Sequence, residues 1–203
     1  MNKFPRFLSA AFALALLAGC ASTVEVVDTR ADNGPGTMGI DYRDFDNAAA
    51  TAVQEMLDSG AVDHPRGGRY VLAISRMTND TMQRIDTDQL VKKIRVALLR
   101  SGKVVTTTAV GLNGAEDEMV NRARELRQSR EFKQETVARE GQMVAPDYSL
   151  SGKIIQRNHK LSDGRQQVEY YFQLTLTDIN SGLAFWEGET PIVKRGSNKT
   201  VSW

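Results

Sequence analysis

The chain has 203 residues, with 26 Lys and Arg against 25 Asp and Glu and a single cysteine. A near-neutral balance excludes a general nucleic-acid binder, which needs a basic face for many phosphate contacts. One cysteine excludes an internal disulfide framework and a zinc–thiolate cluster, and the length suits one domain with one core.

At the N-terminus, Lys3 and Arg6 stand before an apolar run from Phe7 to Leu17, which leads through small residues to Cys20. This is a secretory signal layout, too short for a membrane span. The ending Leu17-Ala18-Gly19-Cys20 resembles a bacterial lipobox, in which cleavage before the cysteine frees its thiol and amine for acylation. Residues 1–19 are therefore expected to be a signal peptide and Cys20 a lipid anchor. Residue 21 is Ala rather than Asp, which by resemblance to sorted lipoproteins favours the outer membrane. Loss of residues 1–19 removes Lys3 and Arg6 and no acid, leaving 24 bases against 25 acids. No second apolar run reaches spanning length, so the lipid would be the only membrane attachment.

Residues 20–40 mix a few apolar side chains with Ser22, Thr23, Asp32, Asn33, Gly34, Pro35, Gly36 and Thr37. They read as a flexible tether, a coil of roughly 25 Å that stretches to at most about 70 Å. The globular domain is expected over 41–194, with a tail over 195–203. Asp44 is the expected cap of a helix carrying Phe45, Ala48, Ala49, Ala52, Val53, Met56 and Leu57 at helical spacing, closed by Gly60. Tyr70-Val71-Leu72-Ala73-Ile74 reads as a strand buried on both faces, and Ser75–Thr81 as its polar exit. Asp86 with Gln89 opens a second helix through Leu90, Val91, Ile94, Ala97 and Leu98. Gly102 ends it, and Lys103–Thr108 is a β-branched strand. Strand, helix and strand make a βαβ unit, expected to be right-handed.

Residues 115–142 are charge-rich with strong helical propensity, acids first and arginines later, and predict one or two partly exposed helices. Beyond them the pattern becomes antiparallel. Tyr148–Ile155 starts a strand, Ser162-Asp163-Gly164-Arg165 turns, and the return strand places Val168, Tyr170, Phe172, Leu174 and Leu176 on the core side. Glu169, Tyr171, Gln173, Thr175 and Thr177 lie on the other side. Asn180-Ser181-Gly182 turns again into a last strand, Leu183–Val193, in which one of Phe185 and Trp186 should enter the core. The fold class that follows is α/β: a mixed β-sheet with a βαβ unit, then a C-terminal antiparallel meander, with helices packed on the sheet.

Catalytic candidates are few. His64 and His159 have no Cys or His at ligand spacing, so no metal site is expected. Asp86 and Asp88 sit where a helix N-terminus wants acids, so capping explains them better than metal binding or acid catalysis. GxSxG, P-loop and GxGxxG motifs are missing from the right contexts, and no cofactor is expected. The chemistry points to recognition. Tyr171 on the polar side of the meander, beside Arg157, His159 or Lys160, makes a reasonable protein-binding spot.

In order along the chain, Ile74-Ser75-Arg76-Met77-Thr78-Asn79-Asp80-Thr81, Ile85-Asp86-Thr87-Asp88-Gln89-Leu90 and Leu98-Leu99-Arg100-Ser101-Gly102-Lys103-Val104-Val105 form a distinctive series. Ala145-Pro146-Asp147-Tyr148-Ser149-Leu150 and Asn180-Ser181-Gly182 with Trp186 complete it. Behind a lipobox, this series resembles the LpoB family of penicillin-binding-protein activator lipoproteins, over roughly Tyr42 to Val193. The resemblance implies a TolB N-terminal-like fold and a monomeric outer-membrane lipoprotein facing the periplasm. It also implies a class A penicillin-binding protein as partner, activated allosterically in peptidoglycan synthesis, with no chemistry by the activator itself. Two departures stand out: relatives carry long proline-rich tethers where this one is short, and the charged 115–142 segment is longer than the family leads one to expect. Arg157, His159 and Tyr171 come from exposure and chemistry, not from family motifs. The alternative is an assembly or secretion lipoprotein resembling the CsgG family, which would require ring oligomers and membrane-inserting hairpins. The compact meander counts against it.

Overall fold

Two aspartates three residues apart start the first helix by exchanging hydrogen bonds. In the computed structural model, which describes residues 25–111 and 116–197, α1 spans Tyr42–Asp58. Its N-cap is Asp41, whose carboxylate accepts the backbone N–H groups of Arg43 at 2.9 Å and Asp44 at 3.3 Å. Asp44 returns the bond by accepting the Asp41 N–H at 2.7 Å. The cap is therefore three residues earlier than the expected Asp44, which takes the acidic third helical position of a capping box. Ala48, Ala49, Ala52, Val53 and Met56 form the buried stripe, and Gly60 takes φ 75° just past the end.

β1 spans Tyr70–Asp80, twice the expected length. The polar Ser75–Asp80 stretch continues as strand because β3 (Tyr148–Lys160) pairs with it in parallel as far as Asp80↔Ile155, across a register shift between Ile74 and Met77. α2 (Thr87–Ser101) is capped by Asp86, which accepts the N–H groups of Asp88 and Gln89, and it stops at Gly102 in the left-handed region, φ 72°. β2 is only Val104–Thr106, shorter than the expected 103–108, because it is an edge strand paired with Tyr70–Leu72 alone.

The charged segment after β2 forms far less helix than its propensity suggests. α3 is Glu118–Glu125, followed by one 3₁₀ turn at Leu126–Gln128, and neither buries a residue. Short helices without a packed face are marginal in water whatever their propensity.

β4 (Gln166–Asp178) and β5 (Ala184–Gly196) complete a five-stranded sheet ordered β2-β1-β3-β4-β5. β1 is parallel to both neighbours, and β3, β4 and β5 form the antiparallel meander. The expected α/β class, with a βαβ unit followed by an antiparallel meander, is the one observed, and the parallel pairing of β1 with β3 joins the two parts into one sheet. The alternation in β4 also holds residue by residue, with Val168, Tyr170, Phe172, Leu174 and Leu176 at 0–2% exposure. α1 and α2 pack on this side, closing a core in which every fully buried residue described is apolar. Trp186 packs on the core opposite Leu176, whereas Phe185 sits in a register irregularity and stays half exposed. Gly152 is a point of close approach: a Cβ there would lie 2.6 Å from Met77 Sδ and 2.7 Å from the Gln173 carbonyl oxygen.

The chain divides into two units, Met1–Pro35 and Gly36–Trp203. In the first, Glu25–Pro35 has no helix or strand, only a turn in which the Ala31 N–H donates to the Asp28 carbonyl. Ordered packing starts earlier than the expected boundary at 41, since Met38 and Ile40 belong to the core. Their apolar side chains find pockets that a reading of the glycine-rich composition could not foresee. At the other end β5 runs to Gly196, so Arg195 and Gly196 are strand rather than tail. The signal peptide, Leu17, Ala18, Gly19 and Cys20, and the tail from residue 198 lie outside the described residues.

Candidate recognition face

The residues of β3, β4 and β5 that alternate away from the helices build one polar surface. On β3 these are Lys153, Ile155, Arg157 and His159. They stand opposite Gln173, Tyr171, Glu169 and Gln167 of β4, which in turn face Glu189, Pro191, Val193 and Arg195 of β5. The strand period of two puts them on one side because the alternate positions are committed to the core.

Glu169 is the hub of this surface. Its carboxylate accepts from Tyr171 Oη at 2.7 Å and from Gln167 Nε2 at 2.6 Å, and His159 Nε2 lies 3.4 Å away. Arg195 Nε donates to Gln167 Oε1 at 2.6 Å, extending the network to the edge strand. The Tyr171 hydrogen bond, then that of Gln167, holds the Glu169 carboxyl below its ordinary pKa; His159 adds a smaller effect in the same direction. The same bond raises the Tyr171 phenol, because ionisation would remove the proton that Glu169 accepts, while the nearby Arg157 charge works the other way. Arg157 and His159 are exposed, and Tyr171 is half-buried.

The structure thus brings His159 and Tyr171 to one carboxylate, with Arg157 opposite Glu169 in the strand register. Glu169, Gln167 and Arg195 organise the group. The alternation had placed Glu169 on this side, but nothing in the sequence marked it as a hub, because its partners come from β3 and from two positions along its own strand. Polar pairing continues along the face, with Lys153 Nζ 2.7 Å from Asp80 Oδ2 in an ion pair and the neutral Gln173 Nε2 donating to Glu189 Oε2 at 2.7 Å.

The other candidates have local work. His64 Nδ1 accepts the N–H groups of Arg66 and Gly68 at 3.2 and 3.3 Å, fixing the loop before β1, and its ring packs on Tyr70. Asp86 caps α2, and Asp88 lies in that helix's first turn. Among the described residues no group of three His, Cys, Asp or Glu side chains is placed to hold a metal ion.

A second constellation, unseen in the sequence, lies at the start of the domain. The Gln83 amide brackets Ile40, its Oε1 accepting the Ile40 N–H at 2.8 Å and its Nε2 donating to the Ile40 carbonyl at 2.9 Å. Lys194 Nζ donates to the Gly39 carbonyl at 2.7 Å and pairs with Asp44 at 2.5 Å. These bonds surround an open cavity of about 1200 Å³ that Asn47, Arg195 and Ser197 also line.

The architecture is that of an α/β domain: a mixed sheet with helices on one side and a pre-bonded polar surface on the other. The family model described as peptidoglycan-synthase activator LpoB matches residues 44–192, and the chain belongs to that family, one of activators rather than catalysts. No curated protein sequence matches the chain. Among solved structures it is similar to the LpoB C-terminal domain from Salmonella enterica, at 16% identity over 73% of this chain and 98% of that one, with a TM-score of 0.45. The LpoB C-terminal domain from Escherichia coli gives 15% over the same shares, with a TM-score of 0.44. Lipoprotein GNA1162 from Neisseria meningitidis gives 13% over 64% of this chain and 87% of that one, with a TM-score of 0.37.

Proposed function

We propose that this chain is an outer-membrane lipoprotein, anchored through Cys20 and facing the periplasm, that binds a class A penicillin-binding protein and stimulates it in peptidoglycan synthesis. The family match over residues 44–192 is the observation that carries this reading. The Leu17-Ala18-Gly19-Cys20 ending supports the anchor, and no helix among the described residues is long and apolar enough to cross a membrane. The activator acts as a monomer and without cofactor or metal. It works by differential affinity: it binds the more active state of the synthase more tightly and draws the population toward it. Arg157, His159 and Tyr171 form the contact. Glu169 holds Tyr171 and pairs with His159 before any partner arrives, so less ordering entropy is lost on binding.

The test is to add the unlipidated chain, from residue 21 onward, to each class A synthase and to follow glycan polymerisation from the lipid-linked precursor. Stimulation of a synthase, reduced in Tyr171→Ala and Arg157→Ala, is the expected result. If no synthase is bound or stimulated, the reading is wrong. For the anchor, labelled palmitate should enter the wild-type protein and not Cys20→Ala.

A further inference from the structure

The sheet has two edges of very different length: β2 has 3 residues and β5 has 13. β5 is last in the strand order, with β4 on one side and no described strand on the other. A long open edge is a template for another strand. Along it Glu187, Glu189, Pro191, Val193 and Arg195 are all exposed.

Pro191 reveals which backbone groups look outward. The register against β4 runs unbroken from Gln166↔Gly196 to Leu176↔Trp186, with Pro191 opposite Tyr171. Proline has no N–H to give, and it fits a ladder only where its nitrogen points away from the neighbouring strand. Strand residues alternate in this respect, so Glu187, Glu189, Val193 and Arg195 also turn their backbone groups to the open edge. Those groups bond to no other described residue. The charged side chains lean back onto β4 instead, Glu187 to Thr175, Glu189 to Gln173 and Arg195 to Gln167.

This edge is nearly complementary to itself. Under a two-fold axis at residue 191, β5 would lie antiparallel to the β5 of a second copy. Glu187 would face the copy's Arg195 and Glu189 the copy's Val193, each pair able to exchange both backbone bonds. The opposite charges would add to the pairing. Only the centre fails: proline meets proline, neither supplies an N–H, and each ring crowds the other's carbonyl. Sliding the register gives no escape. Any centre from residue 189 to 193 leaves Pro191 in a bonding position, and centres at 187 or 188 set glutamate against glutamate, which is unfavourable.

We propose that Pro191 holds the β5 edge closed to a second copy of this chain: an edge otherwise suited to pair with itself is kept single by one residue. The inference goes beyond the activator reading and holds with or without a synthase.

Sedimentation of the unlipidated chain, from residue 21 onward, over a range of concentrations tests this, with thermal melting to follow folding. Wild type should stay monomeric. Pro191→Thr restores an N–H at an exposed position and should self-associate at least about tenfold more tightly than wild type. Pro191→Val gives the same comparison with a second side chain. Adding Arg195→Glu to Pro191→Thr sets like charges opposite each other and should return the chain to monomer, and adding Glu187→Arg as well should restore the dimer. The proposal is overturned if wild type dimerises as tightly as Pro191→Thr, or if both Pro191 variants melt like wild type and stay monomeric. It is also overturned if their association is indifferent to Arg195→Glu. No synthase enters these measurements, so their failure and the failure of the activator reading are separate results.

Discussion

Replacing Gln83 by Ala should loosen the first residues of the domain, and the structure gives the size of the effect. The amide makes two hydrogen bonds to the backbone of Ile40, at 2.8 and 2.9 Å, and Ile40 is only 7% exposed. A net hydrogen bond contributes about 1 kcal/mol, and a buried donor left without a partner costs about 1–3 kcal/mol. Partial access of water to the cavity beside Gly39 offsets some of this, which leaves an expected loss of about 1.5–3 kcal/mol. For a domain of this size that is a drop of roughly 4–10 °C in melting temperature. Urea unfolding followed by tryptophan fluorescence, with hydrogen exchange at Met38–Ile40, measures both the global and the local effect. The reasoning is refuted if Gln83→Ala melts within 1 °C of wild type and the Ile40 amide keeps its protection. Lys194→Met should act in the same region, and the double variant should lose less than the two single losses added, because Gln83 holds Ile40 and Lys194 the adjacent Gly39.

Other consequences follow from packing and titration. Phe172→Ala removes a ring that is 2% exposed and should cost about 3–5 kcal/mol, read as a shift in urea midpoint. Gly152→Val drives a side chain into Met77 and the Gln173 carbonyl; overpacking of about 1–3 kcal/mol is expected, and a neutral effect on the melting temperature would contradict the close approach. Asp41 has a lowered pKa: its burial pushes upward, but the Arg43 hydrogen bond, the Lys194 charge and the backbone N–H bonds outweigh it. Glu169, Asp163 and Asp178 are lowered too. Groups with depressed folded pKa values stabilise above their unfolded pKa and lose that contribution as pH falls through the folded value. Urea midpoints should therefore hold from neutral pH down to about 5 and fall below about 4.5, less steeply in Asp41→Asn. At the alkaline end, burial pushes Tyr148 and Tyr170 up to about 12. Their contribution is complete below the unfolded pKa of about 10 and is lost as pH rises from there toward 12. Phenolate absorbance should show both titrating late, and earlier in Asp41→Asn only if that variant has loosened the core.

Much of the fold was legible because its signals are short-range. The β4 alternation, the Asp86 cap with the Gly102 stop, and the turns at Asp163-Gly164 and Ser181-Gly182 each declare themselves within a few residues, since side-chain period and turn chemistry are local properties. They were enough for the class, for the βαβ unit followed by a meander, and for the side on which Tyr171 lies. The family resemblance was legible for the same reason, as a series of local stretches in order.

What only the tertiary structure decided involves partners distant in sequence. Ser75–Asp80 became strand because β3 lies beside it, and residues 116–142 stayed mostly irregular, their one helix burying no residue. Met38 and Ile40 joined the core through Gln83, 43 residues beyond Ile40, and Lys194, 155 residues beyond Gly39. Glu169 became the hub of the polar face through neighbours on β3 and along β4. Sequence alone fixes what each residue prefers; hydrogen-bond partners and burial are set by which segments meet, and that is a property of the folded chain.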